Sequence, residues 1–243
     1  MNQSHSDRIK DFFAVHSHDI TPVPLRSSAH VLYASVSNDQ EITRCCASVL
    51  QETELQRSER FIRQGDRSLF IQRRAFRRFC GALLLGSSTS LSQVVFEEAE
   101  NGRPYLVDLP ACWFSFSSCR FGFLGAWSLT HRIGVDIEDR TWDPGATALA
   151  REFFSAAEAR AVEGPDGRAN LRSFFHFWSL KEAALKSIGE GLPYGLNAFE
   201  FEFDPNLRVV QAPPDHGGAG RFSAQVMEGA DYCAAIVTRS SLS

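Results

Sequence analysis

The chain lacks the sequence features of membrane and secreted proteins. No run in the 243 residues approaches the ~18 consecutive apolar side chains that a membrane-spanning helix needs. The N-terminal stretch MNQSHSDRIK is polar and has no apolar core of a signal peptide. We therefore expect a cytoplasmic protein that has no membrane partner.

Excess positive charge and closely paired cysteines are also missing. The chain has 25 Lys and Arg against 29 Asp and Glu, so its net charge is −4 and we expect no nucleic-acid partner. None of the six cysteines forms a C-x-x-C pair, and the spacing of a zinc ribbon is absent. We expect reduced thiols that pack as small hydrophobic side chains.

The order of the periodic segments predicts an α+β fold. Residues 1–28 have no clear period, and we interpret them as a loose arm in which His16 and His18 are surface side chains rather than metal ligands. Each half then gives helices followed by antiparallel-looking strands, so we expect two similar halves in tandem, residues 1–133 and 134–243. Helices are predicted over 39–50, 66–85, 146–157 and 169–188, and strands over 30–36, 94–96, 105–107, 113–117, 121–127, 132–139, 198–203, 208–212, 222–227 and 232–237.

An arginine-rich run occupies the predicted helix over 66–85, with Asp66 as its N-cap. Leu69, Phe76, Cys80 and Leu83 form the expected buried stripe. The arginines of the opposite face are expected to be solvated, above all Arg74 and Arg78. Arg60 and Arg67 lie near the start of the helix and are better candidates for binding phosphate, because a helix N-terminus favours anions.

The sequence motifs with the most chemical content lie in the second half of the chain. The stretch FFHFWSLKEAALKSIGEGL predicts an amphipathic helix on which Glu182 and Lys186 are one turn apart. Upstream, RIGVDIED predicts a strand on which Asp136 and Glu138 point to the same side. Three carboxylates and an ammonium on two rigid elements could form a site for a hard metal ion and phosphate.

Each of these residues also has a purely structural interpretation. Glu182 and Lys186 could be an ordinary i,i+4 ion pair, and Asp136 and Glu138 could be a solvated strand face. Lys181 is expected to be a surface lysine. Only the joint pattern favours a functional site.

The two motifs together resemble the signature pair of the Sfp-type 4′-phosphopantetheinyl transferases. The matching segments are GVDIED at 134–139 and FWSLKEAALKSIGEGL at 177–192, and weaker matches lie at Asn101–Tyr105, Phe114–Cys119 and Phe154–Glu158. The resemblance spans most of the chain, from about Glu59 to Phe203. It implies two similar α/β halves that bind coenzyme A in the cleft between them.

The resemblance also implies an activity and roles for individual residues. The enzyme would transfer phosphopantetheine from coenzyme A to a serine of an acyl or peptidyl carrier protein and release adenosine 3′,5′-bisphosphate. Asp136, Glu138 and Glu182 would hold Mg²⁺, with Mn²⁺ as a possible substitute. Glu182 is the candidate base, Lys186 would contact the phosphates, and the coenzyme would lie along Gly102, Arg103 and residues 115–118, which include Ser117 and Ser118.

One position departs from the family pattern. Relatives commonly have a histidine that contacts a coenzyme phosphate where this chain has Ser118. This departure leaves open a relative that binds coenzyme A or carrier proteins without transfer. An unrelated Mg²⁺-dependent phosphohydrolase is a second alternative. The sequence does not name the carrier protein, although the arginine-rich run could steer an acidic one. We expect a monomer.

Overall fold

The computed structural model describes residues 4–21, 29–86, 88–164 and 167–240. Within these ranges the protein is a mixed α+β structure in which every strand pair is antiparallel. The α-helices are α1 (His5–His16), α2 (Gln40–Ala47), α3 (Glu52–Ser58), α4 (Gln64–Leu85), α5 (Ala146–Phe153), α6 (Ala156–Val162) and α7 (Leu171–Ile188). The strands are β1 (Ser17–Asp19), β2 (Ala29–Ser35), β3 (Phe96–Glu98), β4 (Pro104–Leu106), β5 (Trp113–Cys119), β6 (Gly122–Ser128), β7 (His131–Asp139), β8 (Glu200–Glu202), β9 (Arg208–Gln211), β10 (Phe222–Glu228) and β11 (Tyr232–Ser240).

Two sheets meet at β5 and β7. The first sheet has the order β1-β2-β6-β5, the second has the order β10-β11-β7, and β3-β4 and β8-β9 form separate hairpins. Side chains of β5 bond to the backbone of β7. The Ser115 hydroxyl accepts from the Val135 N–H at 3.0 Å, and the Trp113 indole donates to the Ile133 carbonyl at 2.8 Å. These bonds fix β7 beside the first sheet.

The buried apolar side chains of the described residues form three clusters. One packs α1, α2 and α4 on the first sheet through side chains such as Phe13, Phe76 and Phe114. A second packs α5, α6 and α7 against the second sheet, around Phe174 and Phe199. A third lies between the sheets and contains aliphatic side chains of β2, β6, β7 and β11. No helix in the described ranges has both the length and the apolarity that crossing a bilayer needs.

Helix α7 crosses β7 at Gly134, and their backbones are in contact there. A Cβ atom at this position would lie 1.8 Å from the Ala183 carbonyl oxygen and 2.5 Å from the Ser187 nitrogen. Only glycine permits so close an approach. The crossing therefore sets how α7 and β7 face each other.

The N-terminal segment is ordered secondary structure, so the loose-arm prediction is wrong for its described part, residues 4–21. His16 is the last residue of α1, and His18 pairs with Tyr33 in the first sheet. Ile9 and Phe13 are fully buried and anchor the helix, a spacing of four that marks its inner face. Residues 1–3 and 22–28 of the predicted arm lie outside the described residues.

The ends of two other helices differ from the prediction. Helix α4 begins at Gln64 with Arg63 as its cap, so Asp66 lies in its first turn. The predicted helix over 146–157 is two helices, α5 and α6. Ser155 and Glu158 exchange side chain–backbone bonds in a capping box, which starts a new helix at Ala156.

Helix α4 buries more of its surface than predicted. Phe76 and Cys80 of the predicted stripe are buried and Leu83 is 51% exposed. On the opposite side, however, Arg78 is only 3% exposed and the Arg74 side chain only 12%. Arg78 Nη2 lies 2.6 Å from Oε2 of Glu54 on α3, and Glu54 also faces Arg74. Because α3 covers this side of α4 with a carboxylate, the prediction of a solvated arginine face is wrong there.

Candidate functional site

A cleft of about 160 Å³ lies where α4, the β3–β4 hairpin, β5 and the C-terminal end of α7 meet. Gly102 has φ +78°, the left-handed region that favours glycine, and turns the chain at the cleft edge. The Asn101 side chain donates to the Gly189 carbonyl at 2.7 Å, which ties the hairpin to the end of α7. The lining of the cleft includes Arg77, Gly102, Arg103, Ser115, Phe116 and Lys186.

Asp136 is the centre of the acidic part of the site. It is 3% exposed, the Ser117 hydroxyl donates to its Oδ1 at 2.9 Å, and Lys186 Nζ lies 2.7 Å from the same oxygen. Lys186 also donates to the Val135 carbonyl at 3.2 Å. Its ion pair is therefore with the strand, so the structure does not support the simple i,i+4 pair with Glu182.

The two glutamates of the site are disfavoured as anions. Burial, followed by the charges of Asp136 and Glu182, raises the pKa of Glu138 to about 7, against the opposing effects of Lys186 and of a hydrogen bond from Trp178. Burial, followed by the charge of Asp136, also raises the pKa of Glu182. These carboxyl groups are therefore close enough to repel each other, which is the electrostatic setting that a bound cation would relieve.

The negative charges of this arrangement suit a cation. Within the described ranges, no three Asp, Glu, His or Cys side chains form a group that could hold a metal ion. However, Oδ2 of Asp136 is buried and has no hydrogen-bond partner among the described atoms. A buried carboxylate oxygen without a donor is costly, and Mg²⁺ prefers oxygen ligands of this type.

The other wall of the cleft is cationic. Nε and Nη1 of Arg77 and Nη1 of Arg103 are buried without a hydrogen-bond partner in the described structure. Burial, followed by the charges of Arg74 and Arg73, lowers the pKa of Arg77 to about 9, and the charges of Glu98 and Glu54 oppose this effect. Arg77 lies over the Phe116 ring at 5.2 Å, with Glu98 at 4.0 Å. Buried guanidinium nitrogens that have no hydrogen-bond partner suit an anionic ligand.

Ser118 faces a cation that the sequence analysis did not single out. Nη1 of Arg73 lies 3.5 Å from the Ser118 hydroxyl. Arg73 and Arg77 are four residues apart on α4, and this i,i+4 spacing was the available signal that both point towards one site. The prediction that the arginine face of this helix is solvated left the spacing of Arg73 and Arg77 unused.

Two predicted phosphate ligands lie elsewhere. Arg60 and Arg67 are exposed, and neither lines the cleft. Arg67 instead lines a separate cavity of about 650 Å³ between α2 and α4, together with Thr43 and Arg44. The cleft is connected with Asp136 through Lys186, which lines it, whereas the lining of this cavity contains neither Lys186 nor any of the three acidic residues.

Lys181 is fully buried, and the prediction of a surface lysine is wrong. Its Nζ lies 2.8 Å from Oε2 of Glu158, which is itself buried, and donates to the carbonyls of Leu196 and Phe199. Burial lowers the pKa of Lys181, and the charge of Glu158 opposes this effect. Since Lys181 precedes Glu182, it holds this turn of α7 against α6 and the segment after α7.

Comparison with known proteins identifies the family. Residues 132–237 match the sequence model of the 4′-phosphopantetheinyl transferase superfamily. The slr0495 protein of Synechocystis sp., named provisionally as a 4′-phosphopantetheinyl transferase, is 32% identical over 183 residues, 73% of this chain and 72% of that protein. The 4′-phosphopantetheinyl transferase ffp of Bacillus subtilis is 29% identical over 191 residues, 76% of this chain and 80% of its own length. The chain therefore belongs to the 4′-phosphopantetheinyl transferase superfamily.

Proposed function

We propose that the protein transfers the 4′-phosphopantetheine group of coenzyme A to a serine of an acyl or peptidyl carrier protein. The observation that carries this proposal is the cleft itself. Its lining has buried guanidinium nitrogens of Arg77 and Arg103 without hydrogen-bond partners in the described structure. Lys186 also lines the cleft and pairs with Asp136, whose other carboxylate oxygen is buried without a hydrogen-bond partner there. Phosphoryl transfer depends mainly on positioning and on neutralising charge, and this site supplies both.

Each step of the proposed reaction uses a side chain of this chain. Arg77, Arg103 and Lys186 bind the pyrophosphate of the coenzyme and neutralise its charge. The serine oxygen of the carrier forms a bond to the phosphorus that bears pantetheine. The bond from that phosphorus to the adenosine 3′,5′-bisphosphate breaks, and the serine proton passes to Glu182. A carboxyl with a raised pKa is suited to accept a proton, and burial raises the pKa of Glu182.

We also propose a divalent cation and a tandem architecture. Asp136, Glu138 and Glu182 would hold Mg²⁺, or Mn²⁺ in its place, and the bound ion would withdraw charge from the pyrophosphate. The apolar clusters on either side of the β5–β7 contact support two tandem halves, 1–133 and 134–243, related by a pseudo-twofold. We also propose that the protein is monomeric and cytoplasmic.

The activity is tested by incubating the protein with coenzyme A, Mg²⁺ and an apo carrier protein. A mass gain of one phosphopantetheine on the carrier is the expected result. Nucleotide or phosphate release without that gain would instead indicate a phosphohydrolase. Coenzyme binding with neither product would indicate a relative that binds without transfer.

The cation is tested by a thermal shift as well as by activity. Mg²⁺ is expected to raise the Tm of the wild-type protein, because it binds the folded acidic site and not the unfolded chain. Asp136→Ala removes the ligand with the unpartnered oxygen, so Mg²⁺ should leave its Tm unchanged. Transfer should be lost in EDTA. Full activity in thoroughly chelated buffer would overturn the metal assignment.

The contact between Arg73 and Ser118 changes the prediction for coenzyme A binding, because relatives commonly have a histidine at the position of Ser118. If the coenzyme phosphate lies beside Ser118, Arg73 already provides a cation there. Arg73→Ala is expected to weaken coenzyme A binding about tenfold, since charged hydrogen bonds contribute ~1.5–3 kcal/mol. Ser118→His in the Arg73→Ala background should restore affinity at pH 6 more than at pH 8, because imidazole is charged only below a pKa of ~6.5. Coenzyme titrations of both variants measure this. Equal affinity of Arg73→Ala and wild type would exclude Arg73 from the phosphate site.

A further inference from the structure

Two arginines face each other across the second sheet. Arg132 on β7 and Arg239 on β11 are direct partners in the antiparallel register. Like charges in this position destabilise a strand pair. Burial, followed by the charges of Arg132 and Arg221, lowers the pKa of Arg239. A protein with a net charge of −4 thus concentrates positive charge at this point.

The positive charge continues into the cleft. The guanidinium of Arg132 lies 4.7 Å from the centre of a Trp113 ring, and that of Arg103 lies 4.2 Å from it. Arg103 is also part of the cleft lining. Trp113 therefore connects the arginine pair with the cleft, and Arg132 lies four residues from Asp136 on the same side of β7, about 13 Å along the strand.

The turn that follows α7 has exposed apolar side chains, and one of them, Tyr194, is linked to Arg239 through His216. Leu192 and Tyr194, in the turn that follows α7, are 54% and 38% exposed. The Tyr194 ring lies 6.1 Å from that of His216, and His216 Nδ1 accepts from Arg239 Nη1 at 2.7 Å. Asp215 and Glu190 lie nearby and offset part of the charge. We call Arg132, Arg239, Leu192 and Tyr194 the docking patch.

We propose that the docking patch binds an acidic surface of the carrier protein and thereby presents its serine to the cleft. This inference rests on the proposed function and adds the surface that recognises the partner. Charge complementarity favours an acidic partner, because carboxylates would relieve the repulsion between Arg132 and Arg239. Leu192 and Tyr194 would contact an apolar side chain at the centre of that surface.

The test is charge reversal, with an acidic apo acyl carrier protein as the probe. The double variant Arg132→Glu/Arg239→Glu is expected to raise the KM for the carrier at least about tenfold at low salt. Burial, followed by the charge of Arg132, lowers the pKa of Arg103 in the cleft, so the double variant also affects coenzyme binding. The single variant Arg239→Glu should therefore raise the KM for the carrier and leave the KM for coenzyme A unchanged. Added salt should affect the carrier KM of both variants less than that of the wild type. The matched control is Arg160→Glu/Arg208→Glu, two exposed arginines on α6 and β9. The single variant Arg239→Glu faces Arg132 with an opposite charge, and its Tm shows whether the strand pair stays folded.

The possible results distinguish a failure of the docking patch from a failure of the proposed transferase activity. Loading by the wild type with an unchanged carrier KM in both variants would overturn the docking patch alone. An equal rise of KM in the Arg160→Glu/Arg208→Glu control would reduce the effect to overall charge and would also overturn it. A wild-type protein that loads no carrier protein would overturn the proposed function and, with it, this partner.

Discussion

Glu182→Gln is expected to lower transfer by at least ~10²-fold. The substitution keeps the shape of the side chain and removes both a negative charge and the ability to accept a proton. Burial, followed by the charge of the nearby Asp136, raises the pKa of Glu182. Glu182 could therefore act both as a ligand of Mg²⁺ and as the base for the serine of the carrier protein. Single-turnover measurements with a saturating carrier protein would report the chemical step directly.

A matched substitution controls for the loss of a carboxylate in general. Glu152→Gln changes an exposed residue of α5 in the same way and should transfer at the parental rate. Coenzyme A affinity should be nearly unchanged in Glu182→Gln if the residue acts mainly on the reacting serine. Parental turnover in Glu182→Gln would remove Glu182 from the reaction.

Lys181→Met is expected to destabilise the fold by about 3–5 kcal/mol, because it leaves the Glu158 carboxylate buried without a counter-charge. For a chain of this length that corresponds to a fall in Tm of roughly 10 °C. The two carbonyls that accept from Lys181, those of Leu196 and Phe199, would also lose their donor. Thermal denaturation followed by circular dichroism would measure the loss.

The double variant Lys181→Met/Glu158→Gln separates the buried charge from the packing. The amide oxygen that replaces the carboxylate could still accept one of the backbone bonds that Glu158 now takes from Ser155 and Phe201. The double variant should therefore recover part of the lost stability. If it is less stable than Lys181→Met alone, hydrogen bonds of the carboxylate dominate and the ion pair does not.

The acidic motif on β7 and the motif on α7 were predictable from the amino-acid sequence, because in each motif the functional residues are only a few positions apart. Asp136 and Glu138 are two residues apart on a strand, and Glu182 and Lys186 are four apart on a helix. Each pair therefore points to one side whatever the rest of the fold does. That Lys186 pairs with Asp136 depends on how α7 crosses β7, and no local pattern contains this.

The errors concern charged residues whose partners are distant in the sequence. Lys181 and Arg78 belong to residue types that usually lie on the surface, but each is buried against a carboxylate of another helix. These carboxylates are 23 and 24 positions away in the sequence. Burial of a lysine or arginine requires such a partner, and a single sequence does not show which carboxylate supplies it. Arg73 was missed for the same reason, since its neighbour Ser118 comes from β5.

The backbone contact at Gly134 has a consequence for how such a site can change. Because α7 and β7 touch without intervening side chains, their separation cannot be adjusted by exchanging one side chain for a larger or smaller one. The carboxylates of Asp136 and Glu182 are therefore held at a spacing that is insensitive to substitutions in the surrounding core. New partner preferences would have to arise in loops and exposed faces, such as the turn after α7, while the crossing point stays the same.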